Sequence, residues 1–265
     1  MFQQRAEVMW NRQLSPLYYR MGLTCSTHYL QAKPGQFVML GFMQQKDPLL
    51  RRPFSIHNLI SPDGIIKGFE ILYKVVGKAT SKLAMQKPGD VVDVLGPLGT
   101  GFIVPPQAQR IYIAAGGIGV APLVFLASHL SQKSIDLAGC HVFLGARTKK
   151  DLLCGDEFSR LGIVVHTTTD DGSAGDQCLV THPLEVAVDR HLPDIIFACG
   201  PMDMLACIVD VAEKKGVPCQ VSIETMMACG IGACLGCAVE GRTQSSTFLH
   251  ACMDGPVFDA NLLKF

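Results

Sequence analysis

Four cysteines close to the C-terminal end of the sequence constrain this chain more than any other feature. Cys229, Cys234, Cys237 and Cys252 have the spacing C-x4-C-x2-C, followed by a fourth cysteine after fourteen more residues. The first part of this spacing is the plant-type pattern for ligation of a [2Fe–2S] cluster. Glycines separate the ligands, and glycine allows positive φ and close approach of backbone N–H groups to an inorganic core. The spacing therefore predicts an iron–sulfur cluster held by four thiolates.

Zinc and ordinary thiols are the alternatives to this cluster. A structural zinc site made of four cysteines typically has two C-x2-C pairs, and only Cys234 and Cys237 have that spacing. Disulfides need an oxidising compartment, whereas the sequence begins without a signal peptide and contains eleven cysteines, which favours a reducing cytoplasm. The cysteines without ligand spacing are expected to pack as small apolar residues: Cys25, Cys140, Cys154, Cys178, Cys207 and Cys219.

Length and charge limit the domain count and the class of partner. The 265 residues suggest two domains and a short cluster-binding region, which we place at 1–102, 103–220 and 221–265. Lys and Arg together number 23, as do Asp and Glu, so the chain is neutral. A neutral chain has no electrostatic basis for binding nucleic acid or an anionic membrane surface, and we expect neither partner.

One apolar stretch is long enough to cross a bilayer. Residues Ile111 to Gln132 contain no Lys, Arg, Asp or Glu. However, Gly116, Gly117, Gly119 and Pro122 interrupt the stretch. These breakers predict a strand, a glycine turn and a helix rather than one membrane-spanning helix.

Residues 1–102 show the pattern of an antiparallel β-barrel. Short apolar runs are separated by turn sequences such as Pro34-Gly35 and Pro88-Gly89. Asp63-Gly64 predicts a hairpin between strands at Asn58–Ile60 and Phe69–Val76, with a loop that is wider than two residues. Repeated short strands of this kind are typical of a small barrel, and Ala79 to Gln86 is its helical candidate.

From Arg110 onward, strands and helices alternate. This alternation predicts a doubly wound parallel sheet, so the whole chain combines an all-β part with an α/β part. The predicted strands are Arg110–Ala115, His141–Gly145, Ile163–Thr168 and Asp194–Cys199. The predicted helices are Pro122–Leu130 and Met202–Lys215, the second of which ends at Gly216.

Two segments of the barrel have residue types that suit a dinucleotide. Arg51-Arg52-Pro53-Phe54-Ser55 places arginines beside an aromatic ring and a hydroxyl, a combination that binds a diphosphate and packs on a flat ring. Exposed arginine pairs near strands are common, and the alternative that this pair has no binding function has equal weight on the motif alone. Residues 72–74 and 77–81 form the second segment, where a helix start presents backbone N–H groups to an anion.

The α/β part contains two nucleotide-binding candidates. Gly116-Gly117-Ile118-Gly119 lies between a strand and a helix, where glycines permit close approach of a pyrophosphate. Cys199-Gly200-Pro201 follows a later strand, which directs its thiol toward the crevice beyond the strand ends. A simple packing turn between sheet and helix is the alternative for the glycine motif.

Acidic residues after a third strand favour NAD over NADP. A carboxylate of Asp170 or Asp171 accepts a hydrogen bond from a ribose 2′-OH but repels a 2′-phosphate. Arg147 is a weaker argument for NADP, because its positive charge attracts the 2′-phosphate.

Five segments together resemble one family over almost the whole chain. They are Arg52–Ser55, Leu95–Gly99, Thr169–Ser173, Met227–Cys237 and Cys252–Phe258. This set is similar to the ferredoxin–NADP reductase superfamily and, within it, to the electron-transfer subunits of NAD-linked (class 1B) dihydroorotate dehydrogenases.

The resemblance implies a role for each of these motifs. It implies FAD contacts for Arg52, Pro53, Phe54, Ser55, Leu72, Tyr73, Lys74, Ala79 and Thr80, although the family usually has Gly at position 79. It implies contacts with NAD, in addition to Asp171, for Gly116, Gly117, Gly119, Cys199, Gly200 and Pro201. It implies that Cys229, Cys234, Cys237 and Cys252 hold the [2Fe–2S] cluster.

The resemblance also implies an activity and a partner. NADH and FAD would exchange a hydride, and single electrons would pass between FAD and the cluster. The partner would be an FMN-containing catalytic subunit that oxidises dihydroorotate to orotate in pyrimidine biosynthesis, with two copies of each chain in a heterotetramer. One alternative is a related subunit that serves a bifurcating transhydrogenase or a sulfhydrogenase. The sequence of residues 233–236 argues against this alternative. The other is a zinc-stabilised binding module without enzyme activity.

Overall fold

Three sheets organise the chain, which is described by a computed structural model over residues 2–42, 47–133, 135–242 and 247–265. The first sheet has seven antiparallel strands, the second has six strands that are mostly parallel, and the third is a two-stranded hairpin. This combination confirms the predicted all-β part followed by an α/β part.

The seven-stranded sheet forms an open antiparallel barrel. Its strand order is β4-β3-β7-β1-β2-β6-β5. Only residues 56 and 57 separate β4 from β5, which lie at opposite edges, so the sheet must curl to bring these edges together. The elements are β1 (Gln3–Ser15), β2 (Tyr18–Thr24), β3 (Phe37–Phe42), β4 (Arg52–Ser55), β5 (Asn58–Ile60), β6 (Gly68–Lys74), α1 (Lys78–Ala84) and β7 (Val91–Leu98).

The hairpin at Asp63-Gly64 is confirmed, with a loop of seven residues between β5 and β6. Both residues have positive φ, 57° at Asp63 and 76° at Gly64. Asp and Gly tolerate this region better than most residues, which explains why the turn forms at this pair. The predicted helix after β6 is also confirmed, although it begins one residue earlier and ends two residues earlier than expected.

The second sheet has the strand order of a nucleotide-binding fold. Its order is β10-β9-β8-β11-β12-β15, where β15 is Val257–Asp259, and the first five strands of this order are parallel. The order reverses between β8 and β11, and such a switch point leaves a crevice at the carboxyl ends of the two strands. The elements are β8 (Ile111–Gly116), α2 (Val120–Ser131), β9 (His141–Ala146), α3 (Gly155–Arg160), β10 (Val164–Thr169), α4 (Thr181–Arg190), β11 (Ile195–Cys199), α5 (Met202–Lys215) and β12 (Cys219–Ser222).

The long apolar stretch from Ile111 forms the predicted strand, turn and helix. Strand β8 and helix α2 are both buried, because the barrel covers α2 from the other side. Among the described residues, no helix combines the length and the hydropathy needed to cross a bilayer. The predicted bounds of α5 are confirmed, and Gly216 ends the helix with φ of 65°.

The C-terminal region completes the parallel sheet. Strands β13 (Ala238–Glu240) and β14 (Phe248–His250) form the hairpin, and β15 (Val257–Asp259) pairs antiparallel with β12. The expected boundary between residues 220 and 221 therefore falls inside β12. One apolar core joins Phe37 and Met39 of the barrel to Phe258 of this region, so the region packs on both preceding parts.

Candidate cofactor and cluster sites

The four cysteines of the C-terminal motif come together on one side of the barrel. The β13–β14 hairpin connects Cys237 to Cys252, and it returns the chain so that their Sγ atoms lie 3.2 Å apart. Cys237 and Cys252 are buried, whereas Cys234 is exposed. Within this interval, the paired strands β13 and β14 bring the last cysteine back to the site.

The thiols are arranged as two pairs rather than as one compact group. Cys237 pairs with Cys252, and the thiol of Cys234 interacts with that of Cys229. Thiolates around one tetrahedral zinc ion lie about 3.8 Å from one another, given Zn–S bonds of about 2.3 Å. No three of these four described cysteines have Sγ atoms that all lie within 4.8 Å of one another. Two pairs of thiolates fit two irons better than a single zinc ion.

Backbone N–H groups of the same loop point at the sulfur atoms. The N–H groups of Ile231 and Cys234 donate to Sγ of Cys229 at 3.4 Å, and Gly232 donates to Sγ of Cys252 at 3.1 Å. Partial desolvation raises the pKa of Cys229, but these hydrogen bonds outweigh it and lower the pKa to about 7. The loop thus favours the thiolate form that binds iron.

Left-handed backbone positions make this loop possible. Gly230 and Gly232 have φ of 74° and 78°, and Leu235 has φ of 57°. A Cβ atom at Gly230 would lie 2.6 Å from Cγ of Met39, so the loop also packs tightly against β3 of the barrel. The strained Leu235, whose residue surface is 60% exposed, is a feature that sequence reasoning missed.

A cavity of about 890 Å³ lies between the barrel and the parallel sheet. Its volume is near the upper end of the range for small-molecule sites. All nine residues that the resemblance implies for FAD line it: Arg52, Pro53, Phe54, Ser55, Leu72, Tyr73, Lys74, Ala79 and Thr80. The structure therefore brings together residues from β4, β6 and α1 that are up to 28 positions apart in the sequence.

The two arginines at the start of β4 have different environments. Arg51 binds the carboxylate of Asp93, with its Nε and Nη2 both 2.6 Å from Oδ2. Arg52 lines the cavity and is exposed. Phe54 meets Tyr73 edge-to-face at 5.9 Å between ring centroids, which fixes the aromatic wall of the cavity.

Helix α1 begins at the cavity with a side-chain cap. Thr80 accepts hydrogen bonds from the N–H groups of Val76 and Gly77 through its Oγ1, at 2.9 and 3.1 Å. Ala79 lies inside the helix and is not among the residues with positive φ, so a methyl group fits there without backbone strain.

Sequence reasoning missed one wall of this cavity. The segment that runs from Ser222, the last residue of β12, to Ala228 lines the cavity together with Gly236 of the cluster loop. Oγ1 of Thr225 is buried at this wall and has no hydrogen-bond partner among the residues that the structure describes. A buried hydroxyl of this kind needs a partner, and a polar cofactor in the cavity would supply one.

The two nucleotide-binding motifs meet at the switch point of the parallel sheet. A Cβ atom at Gly119 would lie 2.3 Å from the carbonyl oxygen of Cys199, and a Cβ atom at Gly200 would lie 3.0 Å from the backbone N of Gly116. Only glycine permits this contact between the ends of β8 and β11. Gly119 and Cys199 line the cavity, whereas Gly116, Gly117, Gly200 and Pro201 are not part of its lining.

Cys199 is held as a neutral thiol. Burial raises the pKa of Cys199 to about 12, Ser222 opposes this rise through a hydrogen bond, and the charge of Glu224 adds to it. Ser222 lies directly opposite Cys199 in the β11–β12 pair.

The acidic residues that follow β10 lie away from the cavity lining. Asp171 is exposed, and Ser173 donates to its Oδ1 from both N–H and Oγ, which lowers the pKa of this carboxyl. The backbone N–H of Asp171 donates to the carbonyl oxygen of Arg147, so the two residues with opposite cofactor preferences are neighbours.

A chain with this fold and these adjoining sites belongs in the class of flavin-dependent reductases that also carry an iron–sulfur cluster. Three families match successive parts of the sequence. The oxidoreductase FAD-binding domain matches residues 7–102, and the oxidoreductase NAD-binding domain matches residues 113–210. The iron–sulfur cluster binding domain of dihydroorotate dehydrogenase B matches residues 224–264.

Two relatives match almost the whole chain. A protein of Desulforamulus reducens is 39% identical over 96% of this chain and 95% of its own length. One from Caldanaerobacter subterraneus is 36% identical over 98% of both chains. Both are named as the electron transfer subunit of dihydroorotate dehydrogenase B (NAD(+)).

Solved structures show the same fold. A structure of an electron-bifurcating NADH-dependent reduced ferredoxin-NADP oxidoreductase has a TM-score of 0.83 and 30% identity, and the alignment covers 98% of this chain and 89% of that chain. A ferredoxin reductase of carbazole 1,9a-dioxygenase has a TM-score of 0.68 and 24% identity over 82% of this chain and 67% of its own. The chain therefore belongs to the family of electron transfer subunits of dihydroorotate dehydrogenase B, and it contains FAD-binding, NAD-binding and iron–sulfur domains.

Proposed function

We propose that this chain passes electrons between NAD and an FMN-containing catalytic subunit that oxidises dihydroorotate to orotate in pyrimidine biosynthesis. The names of the relatives support this substrate and the need for a partner. Net electron flow runs from the partner to NAD. When bound, FAD supplies the exchange between a two-electron carrier and one-electron carriers.

One observation carries this proposal: the cluster loop and the proposed FAD cavity share residues. Gly236 lies between two cluster cysteines, Ala228 directly precedes the first, and both line the cavity. Electron transfer requires this kind of proximity between donor and acceptor. The glycine turn and Cys199 reach the same cavity from the nucleotide-binding side.

We infer the following roles for the site residues. Arg52 binds the FAD diphosphate, Phe54 and Tyr73 pack on its rings, and Thr80 holds the helix start that faces it. The remaining FAD contacts are Pro53, Ser55, Leu72, Lys74 and Ala79. NAD binds at Gly116, Gly117, Gly119, Asp171, Cys199, Gly200 and Pro201. The cluster ligands are Cys229, Cys234, Cys237 and Cys252.

We also infer a division of labour along the chain, with FAD at 1–102, NAD at 103–220 and the cluster at 221–265. The three family matches fall within these ranges. All eleven cysteines are free thiols, which supports a reducing cytoplasm. The exposed carboxylate of Asp171 supports NAD over NADP.

The partner is proposed to dock at the cluster loop, with two copies of each chain in the assembly. Leu235, Met253 and Phe248 are each more than half exposed in this region. Large apolar side chains that remain exposed around a redox centre suit a protein interface.

Mixing experiments test the proposal directly. NAD reduction by dihydroorotate is expected only when this chain and the catalytic subunit are both present, and the two chains are expected to co-purify. A Cys252→Ser chain serves as the control, because it is expected to bind FAD but to lack the cluster. Equal NAD reduction by the catalytic subunit alone would refute the relay.

A second candidate function is supported by the similarity to the bifurcating oxidoreductase. That protein is 30% identical over almost the whole of this chain, and its name includes ferredoxin and NADP. A chain with that role would reduce ferredoxin or NADP with its own partner. Assays of the same preparation with dihydroorotate and with reduced ferredoxin discriminate between the two functions.

A further inference from the structure

Three potential metal ligands meet where the barrel contacts the parallel-sheet domain, away from the cluster. His57 lies between β4 and β5, Cys154 immediately precedes α3, and Glu157 is in its first turn. The ligand atoms of these three residues all lie within 4.8 Å of one another. Ligands of a tetrahedral zinc ion lie about 3.3–3.8 Å apart, so small side-chain rotations close the set around an ion.

The hydrogen bonds of His57 prepare its ring for a metal. Nδ1 lies 2.9 Å from the carbonyl oxygen of Ala121 in α2, so the proton of a neutral ring resides on Nδ1. A lone pair therefore remains on Nε2, which is buried and has no partner in the described structure. Histidines that bind metals typically donate their other ring N–H to a carbonyl in this way.

Cys154 has a backbone conformation that directs it to this point. Its φ is 64°, a left-handed position that is uncommon for cysteine. Glu157 follows three residues later, and residues at this spacing lie on the same face of a helix. The C-x-x-E sequence thus presents a thiol and a carboxylate together toward His57 on the barrel.

Neighbouring charges are compatible with a cation at this site. Arg20 donates to Oε1 of Glu157 at 2.9 Å, and it also donates from Nε and Nη2 to Oε2 of Glu70. The charge of Arg20 is therefore compensated by Glu70. A thiolate from Cys154 and the carboxylate of Glu157 balance the two charges of a zinc ion.

We propose that His57, Cys154 and Glu157 bind a Zn²⁺ ion that links the barrel to the parallel-sheet domain. Nitrogen, sulfur and oxygen donors together suit zinc, and three protein ligands leave a fourth position for water. Binding displaces the proton of the Cys154 thiol to solvent. The ion holds the β4–β5 connection against α3, while the hydrogen bond of His57 to Ala121 holds the same connection against α2. Both β4 and α2 contribute to the cavity wall.

Zinc analysis of the intact, cofactor-loaded chain tests this site. After dialysis against ZnCl₂ and removal of free metal, one zinc per chain is expected in the unsubstituted protein and none in His57→Gln. Zinc is also expected to raise the midpoint of thermal unfolding of the unsubstituted chain but not that of His57→Gln. Anomalous scattering at the zinc edge is expected to place the ion between the three ligands.

Matched variants distinguish this site from other histidines, cysteines and the cluster. His141→Gln and Cys178→Ser change partly buried residues elsewhere and are expected to retain zinc. Glu157→Gln alters a partly exposed side chain, so it keeps the test valid if His57→Gln does not fold; its zinc affinity is expected to fall at least about tenfold. Iron is measured in the same samples, because zinc in the cluster site would replace it. No zinc in the unsubstituted chain, or equal zinc in His57→Gln, overturns the proposal.

Discussion

At the residue scale, burial differs among the cluster cysteines. Cys252 is 1% exposed and lies 3.2 Å from Cys237, whereas Cys234 is exposed on the loop. Desolvation raises the pKa of Cys252 to about 11 and its hydrogen bond with Cys237 adds to this rise, so the thiolate of this buried residue depends on a metal to stabilise it. Cys252 is therefore the most informative single ligand to remove.

Cys252→Ser is expected to abolish cluster binding without abolishing flavin binding. One pair of thiols becomes incomplete, so iron should fall from two atoms per chain to nearly none, while FAD stays at about one per chain. Iron, sulfide and flavin assays on anaerobically purified protein measure this result. Cys207→Ser is the matched control, because Cys207 is exposed on α5 and far from the motif in sequence. Full iron content in Cys252→Ser would contradict the ligand assignment.

At the element scale, one hydroxyl holds the start of α1. Thr80→Val keeps the shape of the side chain but removes the acceptor for two backbone N–H groups. The loss is expected to cost about 1 kcal/mol and to weaken FAD binding about fivefold, because this turn lines the cavity. Flavin titration of the apoprotein measures the change. Ser81→Ala alters the next, exposed helix residue and should leave the affinity unchanged.

The β9–β10 strand pair predicts a pH dependence of stability. Nδ1 of His141 lies 2.9 Å from Nε2 of His166, and their rings stack at 5.2 Å. Desolvation lowers the pKa of both residues, and His166 further lowers that of His141. Because the pKa of each histidine is lower in the folded chain than its unfolded value of about 6.5, this contribution to the free energy of unfolding is fully present above about pH 6.5. The free energy of unfolding decreases as the pH falls below that value.

Thermal unfolding of the holoprotein at pH 7.5 and pH 6.0 measures this effect. The midpoint should be lower at pH 6.0, and His141→Gln should reduce the difference. His182→Gln changes an exposed histidine at the start of α4, and it should leave the difference between the two midpoints unchanged. A midpoint that rises on acidification would contradict this prediction, because it would show that protonation of the two histidines stabilises the folded chain.

At the scale of the whole molecule, the proposed docking face can be separated from the internal electron path. Leu235→Asp places a charge in the exposed cluster loop, and Asp tolerates the positive φ of this position better than Leu does. The variant should keep its iron and FAD but bind the catalytic subunit at least about tenfold more weakly. Leu179→Asp changes a similarly exposed leucine in the parallel-sheet domain, and the variant should bind the catalytic subunit normally. Unchanged binding by Leu235→Asp would place the interface elsewhere.

The sequence predicted those features that depend on local patterns. Turn residues, alternating strands and helices, and the cysteine spacing all act over short distances, so the barrel, the parallel sheet and the grouping of the four cysteines followed from them. Other features depend on tertiary contacts. The wall from Ser222 to Ala228 becomes part of the cavity only because β15 pairs with β12 and fixes the chain beside the barrel. Likewise, Cys154 has no ligand spacing in the sequence, and only domain packing brings it to His57.

The central claim is that the C-terminal thiolates hold a [2Fe–2S] cluster beside an FAD on the barrel. Absorption and EPR spectra of the anaerobically purified chain, recorded before and after NADH, test it most directly. We expect two irons, two sulfides and one FAD per chain, flavin bleaching by NADH, and an EPR signal from the reduced cluster. A colourless chain that contains zinc at these cysteines and neither iron nor flavin would contradict the account.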